Sequence, residues 1–177
     1  MTQRILIVVT VVLLFASIAT SQEMNRLVDW QPVVPGSDAT ALEIVGITVN
    51  QTIITTGQPF SAGEDWLDKL TFKVRNTSDK TISLFAFGVA FPEIELGGGR
   101  TAMLSIPYDA EKNPPKRQPL SPGSEVELTL PPDQLALLRQ VSMKRIGTIQ
   151  LTRVNILPGL VNFADGSKLG GISLRKT

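Results

Sequence analysis

Residues 70–91 read LTFKVRNTSDKTISLFAFGVAF and contain two strand patterns separated by a polar turn. Apolar and polar side chains alternate over residues 70–75, which predicts an antiparallel strand with one buried face and one face in water. Residues 76–80 are turn-forming and predict a hairpin. Residues 82–91 are apolar on both faces, which indicates a central strand or a strand whose second face is covered.

One face of this second strand carries a phenylalanine stripe, Phe85, Phe87 and Phe91. These rings either fill the space between two sheets or form a surface for a protein partner. The core is favoured because aromatic side chains dominate buried interiors. If the stripe is core, the opposite face of small residues needs a cover, either from the chain around Trp30 or from another protein.

Further strand patterns lie on both sides of this stretch. Residues 148–157 alternate until Arg153, where a β-bulge near Thr152 would restore the phase. Residues 132–144 lack the strand rhythm and predict one to three helical turns. The remaining strands are expected at 42–49, at 51–56 after a kink, at 100–106 on an edge, at 126–130, and in a terminal hairpin of 160–163 with 168–174.

Together these patterns predict an all-β fold. The short strands, separated by glycine, proline and asparagine turns, favour an antiparallel β-sandwich of seven or eight strands with one short crossover helix.

The first 21 residues have the features of a signal peptide. Arg4 precedes the apolar run Ile5–Ala19, and small residues predict cleavage near Ala19 or Ser21. A retained membrane anchor is the alternative, although the run is shorter than the about 20 residues that span a bilayer. We therefore expect a secreted or periplasmic, cell-envelope protein.

The predicted chain has three parts. A signal peptide covers residues 1–21, a flexible lead-in covers residues 22–40, and the β-sandwich domain covers residues 41–177. Prolines and a glycine in the lead-in are the reason for separating it from the domain.

Composition removes several classes of function. The 177 residues include no cysteine and no histidine. Disulfide scaffolds, zinc fingers, cysteine nucleophiles and Ser-His-Asp relays are therefore excluded. With 17 basic and 16 acidic side chains, the chain has no excess of positive charge for binding nucleic acid.

Two acidic clusters could carry chemistry, Glu64, Asp65 and Asp68 in one and Glu93 and Glu95 in the other. A glycosidase needs two carboxylates about 5 to 10 Å apart across a cleft, and sequence cannot place such a pair. The first cluster lacks the alternating ligands of a calcium loop. We predict no catalytic residue, no metal site and no cofactor.

Basic residues in a proline-rich loop offer a second candidate surface. Lys112, Lys116 and Arg117 could bind an acidic polymer or anionic lipid, although a solvated loop is favoured because three charges are few.

Two motifs carry a resemblance to known proteins. LTFKVRNTSDKTI at residues 70–82 looks like the strand–turn–strand of bacterial immunoglobulin-like domains, and VNFADGS at residues 161–167 is similar to a final hairpin in secreted bacterial proteins. The chain thus resembles secreted bacterial immunoglobulin-like β-sandwich proteins of unknown function. The resemblance implies the fold and brings no activity or site residue with it.

We expect an exported, non-enzymatic β-sandwich that binds a protein or a cell-envelope component. One alternative is a structural subunit that self-associates through sheet edges. A less favoured alternative is a carboxylate-dependent hydrolase of an extracellular polymer. Partners do not include nucleic acid, and membrane contact is expected only through the N-terminal segment if it stays uncleaved.

Overall fold

A computed structural model describes residues 23–30, 41–110, 118–170 and 172–174. These residues form eleven strands and one helix: β1 (Met24–Trp30), β2 (Leu42–Val49), β3 (Thr52–Ile53), β4 (Phe60–Ala62), β5 (Leu70–Asn76), β6 (Ile82–Gly97), β7 (Arg100–Asp109), β8 (Glu125–Thr129), α1 (Pro132–Ile146), β9 (Arg153–Phe163), β10 (Lys168–Gly170) and β11 (Ile172–Leu174). Within these ranges, no helix is long and apolar enough to cross a membrane.

The strands form two sheets. The first has the order β4-β1-β9-β6-β7, with β10 also paired to β9, and the second has the order β11-β2-β5-β8, with β3 paired to β2. Pairing is antiparallel except for β1 with β9 and β11 with β2. The prediction of an all-β fold is confirmed, and the described strands outnumber the seven or eight predicted.

The strand directions define two ends of the sandwich. At the upper end, β1, β5, β7 and β9 begin, while β2, β6 and β8 end. The helix α1 joins β8 to β9 and therefore belongs to this end. The lower end carries the connection from β5 to β6 and the turn from β9 to β10.

The core lies between the two sheets. Phe72 of β5 meets Phe87 of β6 edge-on, with ring centroids 5.2 Å apart. Both rings are buried, and the alternation predicted for β5 is confirmed because Leu70, Phe72 and Val74 are fully buried. A single hydrophobic cluster contains side chains from both sheets.

The turn after β5 is a crossover between the sheets, so the predicted hairpin is wrong. Asn76 is fully buried, and its Nδ2 donates to the carbonyl oxygens of Lys80 at 2.8 Å and Leu120 at 2.9 Å. Its Oδ1 accepts from the backbone N–H of Ser78. These bonds close the turn without strand pairing, which leaves β6 free to pair with β7 and β9.

Part of the predicted lead-in is a strand of the sandwich. β1 lies between β4 and β9, pairing Asn25 with Ser61 and Val28 with Val154. The separation of residues 22–40 from the domain is therefore wrong for Met24–Trp30, because β1 fills an interior position of the first sheet. Residues 31–40 lie outside the described residues.

The segment after β2 turns back instead of continuing. Asn50 and Gln51 adopt left-handed φ angles of 50° and 68°, and Thr52–Ile53 then pairs antiparallel with β2. The predicted strand over residues 51–56 is thus a two-residue hairpin arm, because the two left-handed residues reverse the chain.

The interrupted alternation near Arg153 marks the start of β9 and not a bulge within it. Residues 148–152 precede the strand, and Arg153 is exposed beside Asp29, with a 3.1 Å salt bridge. The register irregularity lies farther along β9, where two residues stand opposite Phe87 of β6. The predicted terminal hairpin is confirmed for β10, which pairs with β9. It is wrong for Ile172–Leu174, because this segment, predicted as part of the returning strand, pairs with β2 in the other sheet.

The predicted helix is confirmed and is longer than expected. α1 has 15 residues, about four turns. Leu135 and Leu138 are buried in the core, so the helix covers the upper end of the sandwich. Gly147 ends it in a left-handed conformation, with φ 72°, and its N–H donates to the Met143 carbonyl at 3.1 Å.

The irregularity in β9 brings Gly159 close to β6, and a substitution at Gly159 tests this close approach. A Cβ atom placed there would lie 1.5 Å from the carbonyl oxygen of Ala86. We predict that Gly159→Ala lowers the free energy of unfolding by at least about 3 kcal/mol, because the backbone must shift to relieve the clash. Urea unfolding measures the change.

Gly46 supplies the matched control. A Cβ there would meet no atom closer than 3.7 Å, at the Cβ of Lys73. Gly46→Ala is therefore expected to change stability by less than about 1 kcal/mol. Equal effects of the two substitutions would contradict the close approach of β9 to β6.

Candidate functional site at the upper end

The phenylalanine stripe lies in the core. Phe85, Phe87 and Phe91 are between 0% and 1% exposed, and Phe85 stacks on Tyr108 with ring centroids 4.9 Å apart. Of the two placements that the sequence allowed, the core is confirmed, and these rings offer no partner surface.

The opposite face of β6 is covered at Gly88 by side chains of neighbouring strands in the same sheet. Met103 of β7 lies across Gly88, where an added Cβ would come within 2.8 Å of the methionine sulfur. Trp30 does not serve as this cover, because it packs against the hydrophobic core. The other predicted surface residues, Lys112, Lys116 and Arg117, lie outside the described residues.

The second acidic cluster does not form a carboxylate pair. Glu93 accepts hydrogen bonds from the backbone N–H of Thr152 at 3.0 Å and from the Thr152 hydroxyl. Glu95 is exposed near the end of β6. Glu93 therefore holds the loop before β9.

The first acidic cluster is engaged in separate contacts. Asp65 forms a 2.7 Å salt bridge with Lys69, which lowers the pKa of the Asp65 carboxyl. Asp68 pairs with Arg139 of α1, and Glu64 accepts from the side chain of Gln150. Across the described ranges, no three acidic side chains come together in a way that could hold a metal ion.

A buried arginine organises the upper end. Arg26 of β1 is 1% exposed, and its Nη1 donates to the carbonyl of Leu151 at 2.8 Å. Its Nε and Nη2 donate to the carbonyls of Ala62 and Gly63, each at 3.4 Å. The indole N–H of Trp66 donates to the same Leu151 carbonyl at 2.8 Å. One guanidinium therefore joins β1, β4 and the loop before β9.

The charge of Arg26 is satisfied mainly by carbonyl oxygens. Burial lowers the pKa of its guanidinium, and the nearby carboxylates of Glu93 and Glu64 act in the opposite direction. Arg26 was not predicted as a functional or buried residue because it falls in the stretch interpreted as a lead-in. A single arginine in an otherwise mixed segment gives no pattern from which burial could be inferred.

A cleft of about 460 Å³ opens beside β3 and β4. Its rim carries Glu23, Asp65 and Lys69, and its apolar wall includes Ile53 and Phe60. Phe60 packs edge-on against buried Trp66, with ring centroids 5.7 Å apart, so this wall is anchored to the Arg26 network.

Exposed apolar side chains concentrate at the same end. Of the eight large hydrophobic side chains that are exposed within the described residues, six lie on upper-end segments: Ile53, Leu96, Leu137, Met143, Ile146 and Ile149. Ile53 is 78% exposed and Leu137 is 60% exposed. Apolar surface left in water at one end of a domain is typical of an interaction site.

Comparison with known proteins finds no matching family model, no similar curated protein and no similar solved structure.

The Arg26 network can be tested through stability. Arg26→Met keeps an apolar stem and removes the guanidinium donors from the carbonyls of Ala62, Gly63 and Leu151, of which only Leu151 keeps a second side-chain donor, the indole N–H of Trp66. We predict a loss of about 3 kcal/mol in the free energy of unfolding, measured by urea denaturation, because buried acceptors without partners are costly.

Arg100→Met is the matched control. Arg100 is exposed at the start of β7, and no described carboxylate forms a salt bridge with it. This variant is expected to stay within about 0.5 kcal/mol of the parent protein. A stable Arg26→Met variant would show that the network does not hold the upper end together.

Proposed function

We propose that the chain is an exported, non-enzymatic, immunoglobulin-like β-sandwich that binds a protein or cell-envelope component at its upper end. The observation that carries the proposal is the grouping of six exposed apolar side chains around one end of the fold. The signal-peptide features of residues 1–21 support export.

Two mostly antiparallel sheets support the immunoglobulin-like assignment, together with the crossing from β5 in one sheet to β6 in the other. The export signal and the fold then describe the same class of molecule, a small extracytoplasmic module with its loops gathered at two ends.

The state of the carboxylates favours binding over hydrolysis. A glycosidase acid requires a raised pKa, so that its proton is present at neutral pH. The pKa of Asp65, at the rim of the cleft, is lowered by Lys69. Glu93 already accepts two hydrogen bonds from Thr152. Both acids are thus suited to fixing local structure.

The proposal is tested by co-sedimentation with isolated cell-envelope fragments. The triple variant Ile53→Ser, Leu137→Ser and Met143→Ser is expected to lose at least tenfold of the binding of the parent protein. These side chains are exposed, so the fold is expected to survive, and circular dichroism checks this.

Met103→Ser with Leu160→Ser is the matched control, because both side chains are more than half exposed outside the upper-end segments. This double variant should bind like the parent protein. Undiminished binding of the triple variant would exclude the upper end as the binding surface.

A second candidate function is self-association through a sheet edge. β7 is one of the two edge strands of the first sheet, the other being the three-residue β4, and β7 carries no charged residue from Thr101 to Tyr108. The edge strand β8 carries Glu125 and Glu127, and charged side chains discourage edge pairing. β7 is therefore the long, uncharged edge among the described strands.

The substitution Ser105→Lys tests self-association through β7, because it places a charge in the middle of this edge strand. If copies pair along β7, the parent protein should dimerise in sedimentation velocity as its concentration rises, and the lysine should abolish the dimer. Ser121→Lys, in an exposed turn, should leave the dimer intact. A strict monomer at all concentrations would remove this candidate.

A further inference from the structure

The exposed apolar side chains of the upper end come from separate segments of the chain. Ile53 lies on the β2–β3 hairpin, Leu96 at the end of β6, Leu137 and Met143 on α1, and Ile149 in the loop before β9. A flat, apolar partner is suited to contacting several of them together.

The chain preceding β1 also leads to this end. Glu23 lies at the rim of the upper cleft and accepts a hydrogen bond from the Ser61 hydroxyl at 2.8 Å. The apolar run Ile5–Ala19 ends four residues earlier, a distance of at most about 14 Å in extended chain. As long as this run stays joined to the domain, a membrane that holds it is therefore close to the upper end.

Charge does not oppose this approach. Several acids of the upper end are already engaged: Asp65 with Lys69, Asp68 with Arg139, and Glu93 with Thr152. Lys144 and Arg145 lie in the last turn of α1, and neither forms a salt bridge with a described carboxylate. The upper end carries both acidic and basic groups and therefore has no strong charge attraction to a membrane. The attraction to the membrane would come from inserting the apolar side chains.

We propose that the upper end docks on a lipid bilayer, with its exposed apolar side chains inserted at the level of the headgroups. This inference rests on the proposed function and names the envelope component as the membrane surface. Binding through apolar insertion is expected to be similar on zwitterionic and anionic lipid and to persist in high salt, where charge attraction is screened.

The absence of cysteine makes the orientation measurable. Single cysteines are introduced in the full chain at Ile149→Cys, at the upper end, or at Asp79→Cys, at the lower end, and each is labelled with a fluorophore. The chains are mixed with phosphatidylcholine vesicles that contain spin-labelled headgroups. We expect at least threefold stronger quenching at position 149 than at position 79.

A tether through residues 1–22 alone could also bring a label near the vesicle. Adding Leu137→Ser and Met143→Ser to the Ile149→Cys chain separates the two effects, because the tether is unchanged. Docking predicts that quenching falls at least threefold in this variant. Equal quenching at both ends, unchanged quenching in the serine variant, or dependence on anionic lipid with loss in high salt would each overturn the inference.

Failure of this inference is distinguishable from failure of the proposed function. If position 149 is not quenched but the triple variant of the upper end still loses binding to envelope fragments, the lipid surface is excluded and an envelope protein is the partner. If neither experiment responds to the upper-end substitutions, both proposals fail.

Discussion

The buried guanidinium of Arg26 is the contact on which the upper end depends. Polar groups removed from water must find partners, and here one side chain serves carbonyl oxygens of two segments that are distant in sequence. Trp66 shares the acceptor at Leu151. With the backbone fixed in this way, the adjoining loops and helix can leave apolar side chains in water without collapsing onto the core.

The fold was predictable where burial follows a period along the chain. Leu70, Phe72 and Val74 alternate with polar residues, and the structure buries all three. The turn at Asn76 was not predictable in the same way. Its residues close a chain reversal in either a hairpin or a crossover, and the choice depends on the partners that β6 finds in the other sheet. Pairing between strands that are distant in sequence produces no recognisable pattern in the residues of the turn.

The candidate site was predictable only in small part. The core placement of Phe85 and Phe87 was favoured from the sequence and is confirmed, although hydrophobicity alone does not separate a core from a partner surface. Leu137 and Met143 lie in the stretch predicted as helical, but which residues of α1 face water depends on how the helix lies on the sheets. Arg26 gave no signal because its carbonyl partners belong to segments 36 to 125 residues away.

The position of β9 between β1 and β6 determines when the protein can fold during its synthesis. In the first sheet, Leu27 of β1 pairs with Arg153 of β9. In the second sheet, β2 pairs with β11, which lies near the C-terminal end of the chain. As the polypeptide emerges from a ribosome, neither sheet can be completed until the final third of the chain has followed. The protein therefore gains its full rigidity only after the last strands have been synthesised.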